Sequence, residues 1–265
     1  MTLNDIVSSL GASLLSAPSG QAERARSPTP SVAQALERAG QRLEAQQSST
    51  EVRLSAFGQL RSAVAELRDS SSTLAASENT DTAEKARAAA EQFVSTFNNA
   101  QATANRTING RPGEREANAD SPNTDGALSG DGRANVAASQ LSRTLNDASA
   151  EALRSIGINR ERNGTLSIDQ QRFSQALQND TQAVSAALAE VGQQVEQASS
   201  RQLADGGNLD RAMENLSRQS RQLEAQQAEQ RAFADTLQQA TEQAADRLNI
   251  VAANGIRTYE RIFAL

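Results

Sequence analysis

Two long heptad patterns, one towards each end of the chain, dominate the distribution of apolar residues. In the first, between Val32 and Leu74, apolar positions recur with alternating spacings of four and three residues, which is the spacing of a coiled-coil seam. A helix of this length would be roughly 65 Å long, and its apolar stripe needs a partner. The two series of this pattern are Leu36, Leu43, Thr50, Phe57, Val64 and Ser71, and Val32, Ala39, Gln46, Arg53, Leu60, Leu67 and Leu74.

The second heptad pattern runs from Leu209 to Val251 and has a similar layout. It is apolar at both ends and polar in the middle, at Gln227 and Gln230, as the first is polar between Gln46 and Arg53. Two stripes of similar length are most simply paired as an antiparallel hairpin of the chain ends. We expect this seam to mediate self-association or partner binding through Leu36, Leu43, Phe57, Leu60, Val64, Leu67, Leu216, Leu223, Leu237 and Leu248.

The segment between the two heptads predicts several shorter helices. Ser77 to Asp81 breaks the first pattern, and Thr80 or Asp81 is expected to cap a helix that ends before Gly110. A polar, Gly-rich loop then reaches Gly132. Further helical patterns contain Val136, Leu141 and Leu145; Phe173 and Leu177; and Val184, Leu188, Val191 and Val195.

One stretch predicts β-structure. Asn163-Gly164 favours a tight turn, and Thr165, Leu166 and Ile168 suit a short strand. The predicted fold is therefore mainly α: long terminal helices form an antiparallel coiled coil around a small helical, α+β central domain with a short β element. We assign residues 1–30 to a flexible segment and linker, 31–77 to the amino-terminal coiled-coil helix, 78–180 to a central leg-like domain and 181–265 to the carboxy-terminal helices and coiled coil.

The composition argues against catalysis. The 265 residues include no cysteine and no histidine, which removes thiol chemistry, disulfides, most zinc sites and histidine-based acid–base catalysis. Asp120, Asn123 and Asp125 have the wrong spacing for a calcium loop. No group of side chains forms a nucleophile, a base and an orienting residue. We therefore expect a protein that is not an enzyme, with no cofactor and no metal.

Charge and hydropathy limit the partners. The net charge of −6 argues against nucleic-acid binding, and no segment has the ~18–20 apolar residues of a membrane span. Met1 to Leu15 lacks the basic start of a cleaved signal for general secretion, so we expect either a cytoplasmic protein or export without cleavage. The carboxyl end concentrates apolar residues that we expect to dock another subunit or a chaperone: Ile256, Tyr259, Ile262, Phe263 and Leu265.

Three stretches carry recognisable motifs: Glu51–Ala75, Gly126–Asp131 (GALSGD) and Leu153–Val184 (containing IGINRERNGTLSID). In this order, they resemble the flagellar filament cap family, also called hook-associated protein 2. Glu51–Ala75 is similar to the family's amino-terminal helix, and Gly126–Asp131, GALSGD, is similar to its "GpLaGDs" turn. Leu153–Val184, which contains IGINRERNGTLSID, resembles its "iGI....dGtLslD" signature. The run FVSTFN at Phe93–Asn98 also resembles the family's "FVdaYN".

The sequence departs from the family in one respect. Members usually insert β-rich head domains before the FVdaYN helix, and Leu74 to Lys85 leaves no room for them. The resemblance implies a minimal filament cap, which sits at the filament tip as a ring-like homo-oligomer and promotes ordered flagellin assembly. Its implied partners are other copies of itself, flagellin, hook-associated junction proteins and an export chaperone. The implied location is the extracellular flagellum, reached through type III export.

Two other interpretations remain open at this stage. The chain could be another axial component of the flagellum, a junction protein or a minor flagellin, since these share terminal helical coils. It could also be a cytoplasmic coiled-coil adaptor, which would not be exported. The Gly126–Asp131 turn and the Ile156–Asp169 signature favour the cap over both.

Overall fold

The fold consists of helices of very different lengths and one β-hairpin. The structure is a computed structural model, which describes the backbone of residues 32–110, 123–145 and 147–263 and the side chains of residues 34–110, 123–145 and 149–243. The elements, in chain order, are α1 (Val32–Ala75), a 3₁₀ turn (Ser77–Asn79), α2 (Ala83–Asn109), α3 (Gly132–Arg143), α4 (Asp147–Ser155), β1 (Ile158–Arg160), β2 (Leu166–Ile168), α5 (Gln170–Asn179), α6 (Thr181–Leu203) and α7 (Asn208–Phe263). The predicted fold class, mainly α with a short β element, is confirmed.

The chain divides into two compact units, Met1–Arg38 and Ala39–Leu265. Of the first unit, the structure describes the beginning of α1. The second unit contains the remainder of α1 and all the other elements, and the packing below concerns this unit. None of the described helices has an apolar stretch long enough to cross a membrane.

The core of the second unit forms around one stripe of α1. Phe57, Leu60, Val64 and Leu67 are completely or almost completely buried and follow the predicted heptad. The core adds one stripe from each of the shorter helices, and four of the six phenylalanines in the chain are fully buried in it. These four are Phe57, Phe93, Phe97 and Phe173, and Phe93 and Phe97 lie with their ring centroids 6.0 Å apart. A few large side chains therefore supply much of the apolar surface that the unit buries.

The predicted inward faces of α5 and α6 are confirmed. Phe173 and Leu177 of α5 are buried, and so are the four predicted apolar residues of α6: Val184, Leu188, Val191 and Val195. α6 lies at the centre of the unit, since it contacts α2, α3, α4, α5 and α7.

The β-hairpin lies where the sequence predicts it. β1 and β2 pair antiparallel, with Ile158 opposite Ile168 and Arg160 opposite Leu166. Gly164 has a φ of +86°, which a glycine adopts without steric cost, and the Asn163 side chain accepts a hydrogen bond from the Thr165 amide at 3.1 Å. The turn therefore owes its shape to the Asn-Gly pair.

The start of α2 differs from the prediction. Thr82 is the N-cap, and its hydroxyl accepts a hydrogen bond from the Lys85 amide, whereas Thr80 or Asp81 was expected to do so. Thr80 is fully buried, and its hydroxyl shares a hydrogen bond of 2.5 Å with that of Ser185 on α6. Because this contact occupies Thr80, the helix begins two residues later.

Gly192 of α6 lies in close contact with the backbone of α1. A Cβ atom at this position would lie 2.7 Å from both the Ala75 amide nitrogen and the Ser71 carbonyl oxygen. Both contacts involve backbone atoms, so they cannot be relieved by a change of rotamer. Gly58, in the middle of α1, has no atom within 4 Å of the equivalent Cβ position.

We predict that Gly192→Ala lowers the free energy of unfolding by about 1–3 kcal/mol, because α6 and α1 must move apart to admit the methyl group. Gly58→Ala is the matched control. It should raise the free energy of unfolding by up to about 1 kcal/mol, since alanine favours the helix. Denaturant unfolding monitored by circular dichroism measures both. Equal effects of the two substitutions would contradict the close contact.

Candidate functional site

Asp131, at the end of the Gly126–Asp131 turn, joins three parts of the second unit. Its Oδ1 accepts hydrogen bonds from the amides of Arg133 and Ala134, so Asp131 is the N-cap of α3. Its Oδ2 accepts a hydrogen bond of 2.6 Å from Arg53 on α1. The same carboxylate therefore starts α3 and holds the turn against α1.

Asn98, the last residue of the FVSTFN run, fixes the β-hairpin on α2. Its carboxamide nitrogen donates to the Leu166 carbonyl at 2.8 Å, and its carboxamide oxygen accepts from the Leu166 amide at 2.7 Å. Leu166 is 3% exposed. The Asn98 side chain thus pairs with β2 as a neighbouring strand would, and it satisfies both polar groups of a buried residue.

Gly157, just before β1, and Asp169, just after β2, lie opposite each other at the base of the hairpin. Gly157 has a φ of +90°, and a Cβ atom there would lie 2.8 Å from the Phe173 amide nitrogen. The Gly157 carbonyl accepts a hydrogen bond from the Asp169 amide, and the Asp169 side chain caps α5 through the amides of Gln171 and Arg172. The hairpin is therefore closed at its base by backbone contacts that a larger residue at position 157 would disrupt.

The three motif stretches meet in one unit through these contacts. The Glu51–Ala75 helix binds the Gly126–Asp131 turn, and α2 binds the hairpin signature. The motif residues hold helices in register, which is a structural role. The motifs are visible in the sequence, but the partners of Arg53 and Asn98 are not, because those partners lie 78 and 68 residues away along the chain.

Away from the core, α1 and α7 follow a heptad with a polar seam. The half-buried or buried positions in this part of α1 include Leu43, Gln47 and Thr50, and those of α7 include Gln227, Gln230, Ala234 and Leu237. A Cβ atom on Gly40 would lie 3.3 Å from the Gln230 carboxamide nitrogen, so the two helices approach each other at this point. Gly40 therefore allows close contact between the two helices.

The register of this part of α1 differs from one predicted series. Ala39 and Gln46 are exposed, whereas Gly40 and Gln47, one residue later, are half-buried. The Gln47 carboxamide nitrogen donates to Glu51 at 3.0 Å, but its buried oxygen has no hydrogen-bond partner among the described residues. The seam therefore includes a buried polar atom that is not satisfied, which weakens the association of the two helices.

The ten residues predicted to mediate association fall into three groups. Leu36, Leu43 and Leu237 are half-buried. The side chain of Leu248 lies outside the described part of the structure. The remaining six are buried within this chain: Phe57, Leu60, Val64, Leu67, Leu216 and Leu223. A role for these ten residues in self-association stays a prediction.

The predicted docking residues at the carboxyl end lie beyond the described side chains. Ile256, Tyr259, Ile262 and Phe263 fall on the helical backbone of α7, and Leu265 lies outside the described residues. Asp120, from the dismissed calcium loop, is also outside them. Among the residues that the structure describes, no group of three or more acidic side chains is placed to hold a metal ion.

A known protein family matches most of the chain. The model of the flagellar hook-associated protein 2 C-terminus matches residues 37–254, which include most of α1, the elements from α2 to α6 and most of α7. No curated protein and no solved structure was found to match.

We predict that Asn98→Ala lowers the free energy of unfolding by about 1–3 kcal/mol, because the amide and carbonyl of buried Leu166 both lose their partner. Asn99→Ala is the control on the exposed side of the same helix turn, and it should change stability by less than about 0.5 kcal/mol. Urea unfolding measures both. Equal stability of the two variants would show that the carboxamide does not fix the hairpin.

Proposed function

The chain belongs to the flagellar hook-associated protein 2 C-terminus family, and we propose that it acts as a filament cap, which sits at the filament tip and promotes ordered flagellin assembly. The observation that supports this most is the extent of the family match, residues 37–254, which covers most of both long helices and all the motif contacts described above. The family is a structural one of the flagellum. We propose that the cap works by binding, without catalysis.

The polar seam between α1 and α7 fits this role. A cap must hold filament subunits and release them as the filament grows, which requires contacts that form and break repeatedly. Gln47, Gln227 and Gln230 lie at half-buried positions of the seam. Polar residues at seam positions reduce stability while keeping the register of the helices. Such a seam allows the ends of the two helices to exchange one partner for another at a moderate cost in free energy.

The proposed partners follow from this role. They are further copies of the chain in a ring, flagellin, the junction proteins next to the hook, and an export chaperone. We propose that the chain reaches the extracellular flagellum through type III export without a cleaved signal. The segment that we propose for docking contains Ile256, Tyr259, Ile262, Phe263 and Leu265, and the helical backbone of α7 places the first four of these on one continuous element.

Deletion of the gene tests the capping role. We expect hooks without filaments in electron micrographs and monomeric flagellin in the medium, because subunits that are not held at the tip escape. Restoring the gene should restore filaments. A deletion strain with filaments of normal length and number would contradict the capping function and would favour an accessory role in the flagellum.

Substitutions at the carboxyl end test the docking segment. The triple variant Tyr259→Ala, Ile262→Ala and Phe263→Ala should bind purified flagellin at least about tenfold more weakly, because it loses large apolar contact area. The polar variant Thr258→Ala, Glu260→Ala and Arg261→Ala is the control on the same helix. Titration calorimetry measures binding, and circular dichroism checks that the second unit stays folded. Unchanged affinity of the first variant would remove this segment from the interface.

A further inference from the structure

A polar groove lies between α3, α6 and the turn that joins α6 to α7. It encloses about 580 Å³. Its side chains include Gln140 and Arg143 from α3, Arg201 and Gln202 from α6, and Asn208 at the start of α7. The motif contacts and the helix seam do not use this groove, so nothing in the proposed capping role accounts for it.

The groove is suited to a negatively charged group. Arg143 and Arg201 are both exposed, and neither has a carboxylate within 4.0 Å among the described residues. No acidic residue lines the groove. Nearby Asp210 accepts a hydrogen bond from the Gly206 amide, and Asp205 is exposed outside the lining. The first turn of α7, which begins at Asn208, adds the positive end of a helix dipole.

The groove also contains a buried acceptor that lacks a donor. Gln202 is 5% exposed, and its carboxamide oxygen has no hydrogen-bond partner among the described residues. An unpaired buried carboxamide costs free energy unless a ligand supplies the donor. Carboxamides match peptide groups, which have both a donor and an acceptor. A polypeptide with an acidic side chain supplies both the anion and the N–H group, whereas a simple anion supplies only the charge.

We propose that this groove binds the Ser77–Glu84 segment of a second copy of the chain. This segment presents Glu78, Asp81 and Glu84, all exposed. Asp81 pairs with Lys85 at 2.9 Å, while the carboxylates of Glu78 and Glu84 have no ion pair with a described residue. The two unpaired carboxylates complement the two unpaired arginines of the groove. This proposal rests on the ring-forming cap, and it names the interface that such a ring would use.

The positions of the two surfaces favour a head-to-tail contact. The Ser77–Glu84 segment is held near the start of α6 by the hydrogen bond between Thr80 and Ser185, and the groove lies at the far end of α6, at Arg201. The distance from Ser185 to Arg201 is roughly 24 Å along the helix. Two different surfaces on each copy form a heterologous interface, and such an interface produces a ring when the rotation closes.

Sedimentation of the full chain tests the contact. We expect concentration-dependent self-association that weakens between about 0.05 M and about 0.5 M salt, because the pairing is electrostatic. The variant Arg143→Gln/Arg201→Gln should associate about tenfold more weakly, as expected for two partly exposed ion pairs. The variant Arg162→Gln/Arg221→Gln removes two exposed arginines outside the groove and should associate as the natural chain does. A chain that is monomeric at every concentration overturns the proposal.

Charge exchange distinguishes this contact from a general effect of charge. Arg143→Glu/Arg201→Glu and Glu78→Arg/Glu84→Arg should each lose self-association as single proteins. When mixed in equal amounts, they should associate in alternation, because each groove then meets a segment of opposite charge, and one chain with all four substitutions should associate with itself. Failure of this chain to associate overturns the assignment of the Ser77–Glu84 segment. Loss of flagellin binding in the groove variants with unchanged self-association would assign the groove to flagellin and overturn the second copy as its occupant.

The substitution Gln202→Met tests whether Gln202 contributes to self-association independently of its effect on folding stability. Because it removes a buried acceptor that has no partner, this substitution should leave the thermal midpoint equal or higher. Self-association should nevertheless fall several-fold. A lower midpoint with unchanged self-association would show that Gln202 serves only the fold, which contradicts its place in the interface. These measurements use purified protein, so they succeed or fail independently of the cellular test of capping.

Discussion

The burial of α1 is the interaction on which the rest of the second unit depends. α1 supplies Phe57, Leu60, Val64 and Leu67 to the centre of the core, and each is at most 1% exposed. With aromatic residues at 3% of the chain, few other side chains could replace this area. The shorter helices bury narrow stripes that are too small to be stable alone, so they gain their order by packing around this one helix and around each other.

A core built from so few large side chains leaves the register of the helices weakly determined, since alanine-rich surfaces slide past one another at little cost. Polar contacts at defined points remove this freedom. Asp131 holds α3 to Arg53 of α1, Asn98 holds β2 to α2, and Thr80 holds the start of α2 to Ser185 of α6. Each of these contacts joins two elements and satisfies a polar group. Such pairing is possible at one register only, so these bonds contribute specificity beyond their modest free energy.

The sequence predicts the local features of this fold well and the contacts between elements poorly. The Asn163-Gly164 turn and the end of α2 before Gly110 follow from short-range chemistry, and the structure has both. The double hydrogen bond of Asn98 depends on where β2 lies in space, which no spacing along the chain reveals. The position of the N-cap is hidden in the sequence for the same reason. Thr82 caps α2, while the Thr80 hydroxyl pairs with that of Ser185 on α6, which is distant along the chain. Long-range packing thus overrides a valid local alternative.

The seam between α1 and α7 shows how packing changes the heptad itself. A straight α-helix drifts relative to a strict seven-residue repeat, so one series of positions fits only part of a long helix. The predicted second series holds at Leu60 and Leu67, but near the amino end the seam passes to Gly40 and Gln47. Gly40 admits the Gln230 side chain, which a larger residue would displace. The polar part of the seam is therefore a specific contact between two amide-bearing helices and not a gap in an apolar stripe. A pair held in this way keeps its register yet separates at a lower cost in free energy than a leucine seam, and this is the property that the proposed capping role requires.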